Sequence, residues 1–506
     1  MSIGTLLIRA DASTAIGTGH VMRCLALAQA WQDAGGHALF AMAESTEAIR
    51  SRIQSEYCGV FCISAAIGNS DDLLQTIALS KQQNCEWIAV DGYQFRADYQ
   101  RGLKAAGFKV LFLDDYGHSD HYTADVVLNQ NVSATPALYS DREEQTRLVL
   151  GPRYALLRRE FKVWNSWQRA NPAVCRHVLV TMGGSDVGNA TATAIKALDI
   201  SRLSEIEATV IAGGSNPNFE KLQGMVSASR RKIKLLKDVS RVGEFMAAAD
   251  VAISAAGTTC WELCLLGLPA LLIDVADNQT ALAEELQKRG CAIHIAKGSA
   301  TPEKIAQTLQ SLIESQERRQ LLSKASRELV DGKGAMRVVS VLRGGRILGL
   351  RPLRNEDRRL LWQWANDLEV RAASFSADPI SWETHTAWFD EKLRSAQGSA
   401  AKNIILIAED EEANPVGQIR FDARPDGEWE VDVSLAKSMR GRGLGSDLIE
   451  SGLRELAVRG GRTRVHALVK PENVASVRSF ERAAFRNAGM HQVRGHNAVH
   501  LVYERN

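Results

Sequence analysis

Asp11-Ala12-Ser13-Thr14-Ala15-Ile16-Gly17-Thr18-Gly19-His20-Val21-Met22-Arg23 is the stretch on which the reading of this chain turns. The apolar run Leu6–Ile8 before it reads as a buried β-strand, and Val21 to Trp31 after it as an amphipathic helix. Gly17 and Gly19 lack a Cβ and can take the positive φ that a tight turn requires. His20 is thereby delivered to the first turn of a helix, at the carboxyl end of a strand. Open parallel α/β sheets hold their ligands in this crevice. A helix N-terminus favours anions and disfavours positive charge on an imidazole, so a neutral His20 can act as a base. A histidine that only caps or packs locally fits the same residues.

With 506 residues the chain has room for about three domains. Apolar content of 45% and charged content of 24% are those of soluble globular proteins. A net charge of +2 gives no reason to expect nucleic acid or an anionic membrane as partner. The eight cysteines are irregularly spaced and none follows Cys291, which fits a reducing compartment better than a disulfide framework. Cys260 and Cys264 share a helix face, but two thiols without two further ligands nearby do not make a zinc site, and no metal is expected. Met1 to Ala10 lacks the basic and apolar regions of a signal peptide. Val251 to Val275 is apolar but holds Glu262, Pro269 and Asp274, so it reads as a helix and a strand, not a membrane span. A cytoplasmic protein is expected. Oligomeric state leaves no comparable mark.

Strands and helices alternate through residues 1–150, with strand runs at His37–Met42, Trp87–Val90, Val110–Leu113 and Val126–Leu128. The last three end at polar groups: Asp91 and Tyr93, then Asp114, Asp115 and Tyr116, then Asn129, Gln130 and Asn131. Such side chains converge on the rim of one sheet, although each also suits a strand-terminating turn. A second α/β unit, residues 151–338, has strands at Val178–Met182, Ala208–Ala212, Lys232–Leu236 and Val251–Ser254. Gly183-Gly184-Ser185 turns into a helix, and Gly257, Thr258 and Thr259 open another, offering amides and hydroxyls to a phosphate. Glu262, one turn further, can accept two hydrogen bonds from a ribose diol; equally, it can close a capping box with Thr258 or Thr259. Asn278 and Gln279 follow the next strand. Asp331-Gly332-Lys333-Gly334 and Arg343-Gly344-Gly345-Arg346 bracket a predicted linker.

Residues 346–506 differ in character, reading as a mixed α+β domain. Ile404–Glu409 and Val416–Asp422 form a predicted hairpin, Glu428–Leu435 alternates as a half-buried strand, and Arg464–Val469 is another strand. Arg440-Gly441-Arg442-Gly443-Leu444-Gly445 is a basic, glycine-rich turn opening a helix, a cradle for a pyrophosphate or else a solvated turn. The final predicted helix runs through Ala484.

Two resemblances cover most of the chain. Arg9–Ser13, Ile16–Cys24, Asp91-Gly92-Tyr93, Leu113-Asp114-Asp115, Leu128–Asn131 and Ser254–Gln279 resemble, in order, the UDP-sugar hydrolases of pseudaminic acid biosynthesis. That resemblance implies a GT-B-like pair of Rossmann-like lobes with UDP held mainly by the second. It implies metal-independent, inverting hydrolysis of UDP-2,4-diacetamido-2,4,6-trideoxy-β-L-altropyranose, with His20 as the catalytic base. Asp11, Tyr93 and Asn129 would hold the sugar, with Asp11 or Asp91 orienting the imidazole. Gly17, Gly19, Arg23, Gly183, Gly184, Ser185, Gly257, Thr258, Thr259, Glu262, Asn278 and Gln279 would complete the substrate site.

Glu428–Leu435, Arg440–Gly445 and Asn473–Phe485 resemble the GCN5-related N-acetyltransferases (GNAT). This implies acetyl-CoA as co-substrate, its pyrophosphate on Arg440, Gly441, Arg442, Gly443 and Gly445, and its pantetheine arm beside Val433 and Leu435, with Asn473 and Ser476 nearby. Phe480 stands where that family often has a tyrosine acid, and Glu430 and Asp432 are candidates for the proton acceptor. Together the two halves suggest acetylation of a 4-amino UDP-sugar followed by hydrolysis of the product. A glycosyltransferase on the same fold, joined to an acetyltransferase of other specificity or to an inactive acetyl-CoA-binding domain, is the alternative.

Overall fold

A computed structural model describes residues 3–13, 16–184, 186–200, 206–343, 349–395, 403–410, 414–441, 443–458 and 463–505. Met1–Arg343 and Gly344–Asn506 form separate compact units.

The first unit holds two parallel sheets. Strands β1 (Thr5–Ala10), β2 (His37–Met42), β3 (Gly59–Cys62), β4 (Cys85–Asp91), β5 (Lys109–Leu113), β6 (Val126–Asn129) and β7 (Arg147–Leu150) take the order β3-β2-β1-β4-β5-β6-β7. Strands β8 (His177–Thr181), β9 (Glu207–Ala212), β10 (Lys232–Lys237), β11 (Val251–Ala255), β12 (Ala270–Ile273) and β13 (Ile293–Ile295) take the order β10-β9-β8-β11-β12-β13. Their central strands are near-continuous apolar runs because helices cover both faces of each sheet. Strand order reverses between β1 and β4 in the first sheet and between β8 and β11 in the second. Crossovers diverge to opposite faces there, which leaves a crevice at the strand ends. This is a pair of Rossmann-like lobes, as the sequence predicts.

Two features depart from expectation. Short edge strands β3, β7 and β13 were not apparent in the sequence, since each is only partly buried and lacks a clear apolar period. The predicted linker is instead a helix, Gly334–Leu342, burying Val338, Val339, Val341 and Leu342 and packing on the helix Gly19–Asp33 of the first lobe. Among the described residues no helix is long and apolar enough to cross a membrane.

The second unit is one mixed sheet of β14 (Gly349–Pro352), β15 (Asn403–Glu409), β16 (Pro415–Ala423), β17 (Trp429–Leu435), β18 (Thr463–Val469), β19 (Arg486–Val493) and β20 (His496–Arg505), ordered β14-β15-β16-β17-β18-β20-β19. Helices Leu444–Val458 and Val474–Arg482 pack on one face over Ile419, Val431, Val465 and Leu501. Helices Arg358–Ala365 and Trp382–Ser395 pack over Ile405 and Ile407. The helix after Asn473 is not the end of the fold: the hairpin β19–β20 follows it. Its edge strand Arg486–Val493 is almost wholly exposed, so no apolar alternation marked it in the sequence.

Candidate active site

The two switch points of the first unit face one cavity of about 940 Å³. From the first lobe it receives the Gly17–His20 turn and Arg23, Tyr93, Asp115 and Asn131. From the second it receives the Gly183-Gly184 turn, Gly257–Thr259, Glu262 and Asn278-Gln279. Ser185 and Arg442 lie outside the described residues.

His20 is the second residue of the helix Gly19–Asp33. Gly17 takes φ +82°, whereas Gly19 is helical, and the space beyond it is filled by Thr258 of the other lobe, 3.8 Å from where a Cβ would sit. At the tip of β4, Asp91 accepts from His20 Nδ1 at 2.7 Å. It also accepts from Arg23 Nε and Nη2, each at 2.7 Å, and from Cys24 Sγ at 3.3 Å. Burial pushes the Asp91 carboxyl up, but the charges and hydrogen bonds of Arg23 and His20 outweigh it and hold the group well below the usual carboxylate range. An ionised Asp91 can only accept, so a neutral His20 carries its proton on Nδ1 and its lone pair on Nε2. Arg23 Nη1 also reaches Asp115 Oδ1 at 2.6 Å, and Tyr93 donates to Asp115 Oδ2 at 2.8 Å. Tyr93 lies edge-on to His20, centroids 4.9 Å apart, and its hydroxyl accepts from Asn278 Nδ2 at 3.0 Å across the cleft.

The lobes meet closely. A Cβ on Gly184 would stand 2.2 Å from Thr18 Oγ1, and one on Gly213 would stand 2.2 Å from the Gly184 carbonyl oxygen. Only glycine fits at either position. Glu262 accepts from Arg158 Nη2 at 2.8 Å. Burial pushes its carboxyl up to about 7 against the pull of Arg158, with Glu160 adding to the rise. Its carboxylate does not close a capping box, because Thr258 makes no side-chain cap.

Two expected sugar ligands are elsewhere. Asp11 is buried and accepts from Arg9 Nη1 at 2.6 Å and from the Ala43 and Glu44 amides at 2.6 and 2.9 Å, a structural tie between β1 and the end of β2. Asn129 is fully buried; it donates to Tyr139 Oη at 2.8 Å and accepts from the Asn131 amide at 2.9 Å. Asp115, Asn131 and Arg158 stand in the cavity in their place. The first two lay in strand-end clusters visible in the sequence. Arg158 sits in an irregular connection between the lobes and carried no signal.

In the second unit β17 and β18 pair only at Trp429↔Val465 and Glu430↔His466. Beyond those pairs the strands fork, freeing β17 backbone groups through Val433 and Leu435. Gly441 and Gly443 take φ +73° and +78°, and the helix Leu444–Val458 opens directly after them. A Cβ on Gly445 would stand 2.7 Å from Ser479 Oγ. Arg440 donates to Leu435 O at 3.0 Å, to Asp367 at 2.6 Å and to Glu369 at 2.9 Å, while its Nη2 is buried with no partner among the described residues. Asn473 accepts from the Ser476 amide at 3.2 Å, capping the helix Val474–Arg482. Phe480 is buried in the core, edge-on to Phe485 at 5.0 Å.

Comparison with known proteins agrees with this division. Residues 177–337 match the model of the Glycosyltransferase family 28 C-terminal domain, and residues 348–486 that of the Acetyltransferase (GNAT) domain. An uncharacterized protein of Methanocaldococcus jannaschii is 23% identical over 499 residues, 95% of this chain and 96% of that one. The spore coat polysaccharide biosynthesis protein SpsG of Bacillus subtilis is 27% identical over 46% of this chain and 68% of its own length. The UDP-2,4-diacetamido-2,4,6-trideoxy-beta-L-altropyranose hydrolase of Campylobacter jejuni is 28% identical over 56% of this chain and 97% of its own length. The chain thus joins a pair of Rossmann-like lobes, the second matching the Glycosyltransferase family 28 C-terminal domain, to a domain matching the Acetyltransferase (GNAT) model.

Proposed function

We propose that the first unit hydrolyses a UDP-activated diacetamido-trideoxyhexose and that the second acetylates the 4-amino group of its precursor, two consecutive steps of pseudaminic acid biosynthesis in one chain. The observation that carries the hydrolase reading is the buried Arg23–Asp91–His20 array opening on the cavity between the lobes. With Nδ1–H held by Asp91, His20 Nε2 takes a proton from water. The water oxygen bonds to the anomeric carbon as the bond to the UDP oxygen breaks, and attack from the face opposite UDP inverts that carbon. The departing diphosphate takes hydrogen bonds from the Gly183-Gly184 turn and the Gly257–Thr259 amides, and Glu262 accepts from the ribose hydroxyls. Tyr93 and Asn278, joined across the cleft, border the sugar.

In the second unit the Gly441–Gly445 turn takes the acetyl-CoA pyrophosphate, and Arg440 turns from Asp367 and Glu369 toward it. The pantetheine arm pairs with the freed edge of β17. A buried Phe480 gives no proton to the departing thiolate, which takes its proton from the attacking amine instead.

The test incubates the whole protein with UDP-4-amino-4,6-dideoxy-N-acetyl-β-L-altrosamine, with and without acetyl-CoA, and follows UDP and sugar mass. Acetyl-CoA-dependent UDP release supports both activities and their order; acetylation without UDP release overturns the hydrolase half. A glycosyltransferase is the second reading, favoured by the match to the glycosyltransferase model. It requires an acceptor, so UDP release from the diacetamido sugar nucleotide in buffer alone excludes it.

A further inference from the structure

The closed end of the β17–β18 fork carries a chain of titratable groups that the acetyl-transfer scheme above leaves unused. His466, on the last paired position of β18, is buried. Its Nε2 meets Glu428 Oε2, and its Nδ1 lies 2.8 Å from His500 Nε2 on β20. The two rings stack at 5.1 Å, and His491 of β19 stands edge-on to His500 at 4.5 Å. Glu428 is 27% exposed, so the chain reaches water at that end.

With Glu428 ionised and both imidazoles neutral, hydrogen counting fixes its direction. An ionised Glu428 can only accept, so His466 donates from Nε2. A neutral His466 then presents a lone pair at Nδ1, and His500 must donate from Nε2. His500 is left with its lone pair at Nδ1. A proton arriving at that atom keeps every hydrogen bond intact, whereas one arriving at His466 Nδ1 would set two N–H groups against each other.

We infer that Glu428, His466 and His500 form a one-way relay that removes the proton an ammonium acceptor must lose before it attacks acetyl-CoA. The inference rests on the acetyltransferase reading of this unit. The pyrophosphate cradle follows the open end of the fork, at Leu435, so the arm runs back along β17 toward Glu430 and brings the thioester to the end where His466 stands. His500 Nδ1 takes one proton from R–NH3+, directly or through a water. His500 Nε2–H passes to His466 Nδ1, and His466 Nε2–H passes to Glu428 and on to solvent; once product has left, His500 Nδ1 loses a proton to solvent and His466 Nε2 regains one through Glu428, with the bridging proton returning to His500 Nε2, which restores both starting tautomers. The amine nitrogen bonds to the acetyl carbon, the C–S bond breaks, and the second amine proton goes to the CoA sulfur, giving amide, CoA thiol and one released proton. Burial, with His491, His466, Arg424 and Arg464 around it, favours the neutral form of His500. Glu430, the register partner of His466, and Glu504, paired with Arg464, are further charged neighbours.

The decisive variant is His500→Gln. Its amide N–H can still serve His466, so packing and hydrogen bonding survive, but its amide oxygen is too weakly basic to take the proton. In the full chain, with acetyl-CoA and the 4-amino UDP-sugar, kcat for acetylation falls about 100-fold at pH 7 and recovers as rising pH supplies free amine, with KM for acetyl-CoA unchanged within about twofold. Rate and pH profile like those of the native protein overturn the relay. Histidine-15N NMR of the full chain needs no acceptor. His466 and His500 both show protonated Nε2 and bare Nδ1. A proton on His466 Nδ1, or a bare His500 Nε2, overturns it. If the native protein fails to acetylate this sugar, the acceptor assignment falls and the NMR result alone decides the relay.

Discussion

Asp91→Asn is the sharpest test of the proposed hydrolytic array. The carboxylate is 1% exposed and receives three nitrogen donors, His20 Nδ1, Arg23 Nε and Arg23 Nη2, each at 2.7 Å. An amide offers one oxygen to those donors and turns an N–H toward the others. Breaking a buried ion pair costs about 3–5 kcal/mol. Arg23 retains Asp115 at 2.6 Å, so the loss of stability should lie at or below the lower figure. The catalytic loss is larger than that structural change suggests. An N–H facing His20 Nδ1 drives the imidazole proton to Nε2, where a lone pair is needed. Loss of the base lowers kcat by about 10²–10⁴, or roughly 3–5 kcal/mol of transition-state stabilisation. With UDP on the other lobe as proposed, its affinity should change by less than about threefold. The assay is UDP release from the diacetamido UDP-sugar, with calorimetric UDP binding as control. Because Asp91 acts through His20, the double variant Asp91→Asn, His20→Asn should lose no more than the worse single one. A single variant retaining above about a tenth of kcat, or losses that multiply, would refute the reasoning.

Gly184→Ala forces a methyl against Thr18, and hydrolysis should fall about tenfold or more, with partial rescue by Thr18→Gly; a fully active single variant would show that the lobes need not approach so closely. Gly213→Ala meets the Gly184 backbone, which cannot rotate away, and should destabilise the first unit by about 1–3 kcal/mol in thermal unfolding. Glu262 has its folded value raised from 4.5 to about 7, so the free protein binds an extra proton in that window and loses stability as pH rises through it. If ionised Glu262 accepts from the ribose, UDP affinity falls as pH drops below about 7, by up to tenfold per unit, and Glu262→Gln flattens both dependences. Arg440→Ala should raise the acetyl-CoA KM about tenfold or more, the worth of a charge-assisted hydrogen bond of about 1.5–3 kcal/mol, with little effect on UDP release.

Local pattern along the chain reveals the central strands, the main helices and the glycine turns of the proposed sites. The strand, glycine turn and helix around His20 follow from local rules: an apolar run, a φ that only glycine takes cheaply, and an apolar helical face. The glycine turns at Gly183 and Gly441, at φ +80° and +73°, are legible for the same reason. Tertiary structure decided which side chains do what at those places. Asp11, Asp91, Asp115 and Asn129 look alike along the chain, each a polar residue ending a strand. Strand order separates them: β4 lies beside β1 at the switch point and turns Asp91 onto His20, while Asp11 is drawn to the end of β2 and Asn129 into the core beside Tyr139. Arg158 meets Glu262 across a sequence separation of 104 residues, and His466 meets His500 through a hairpin whose exposed edge strand has no apolar period. Such pairings depend on lobe packing and strand neighbours, which a local pattern does not encode.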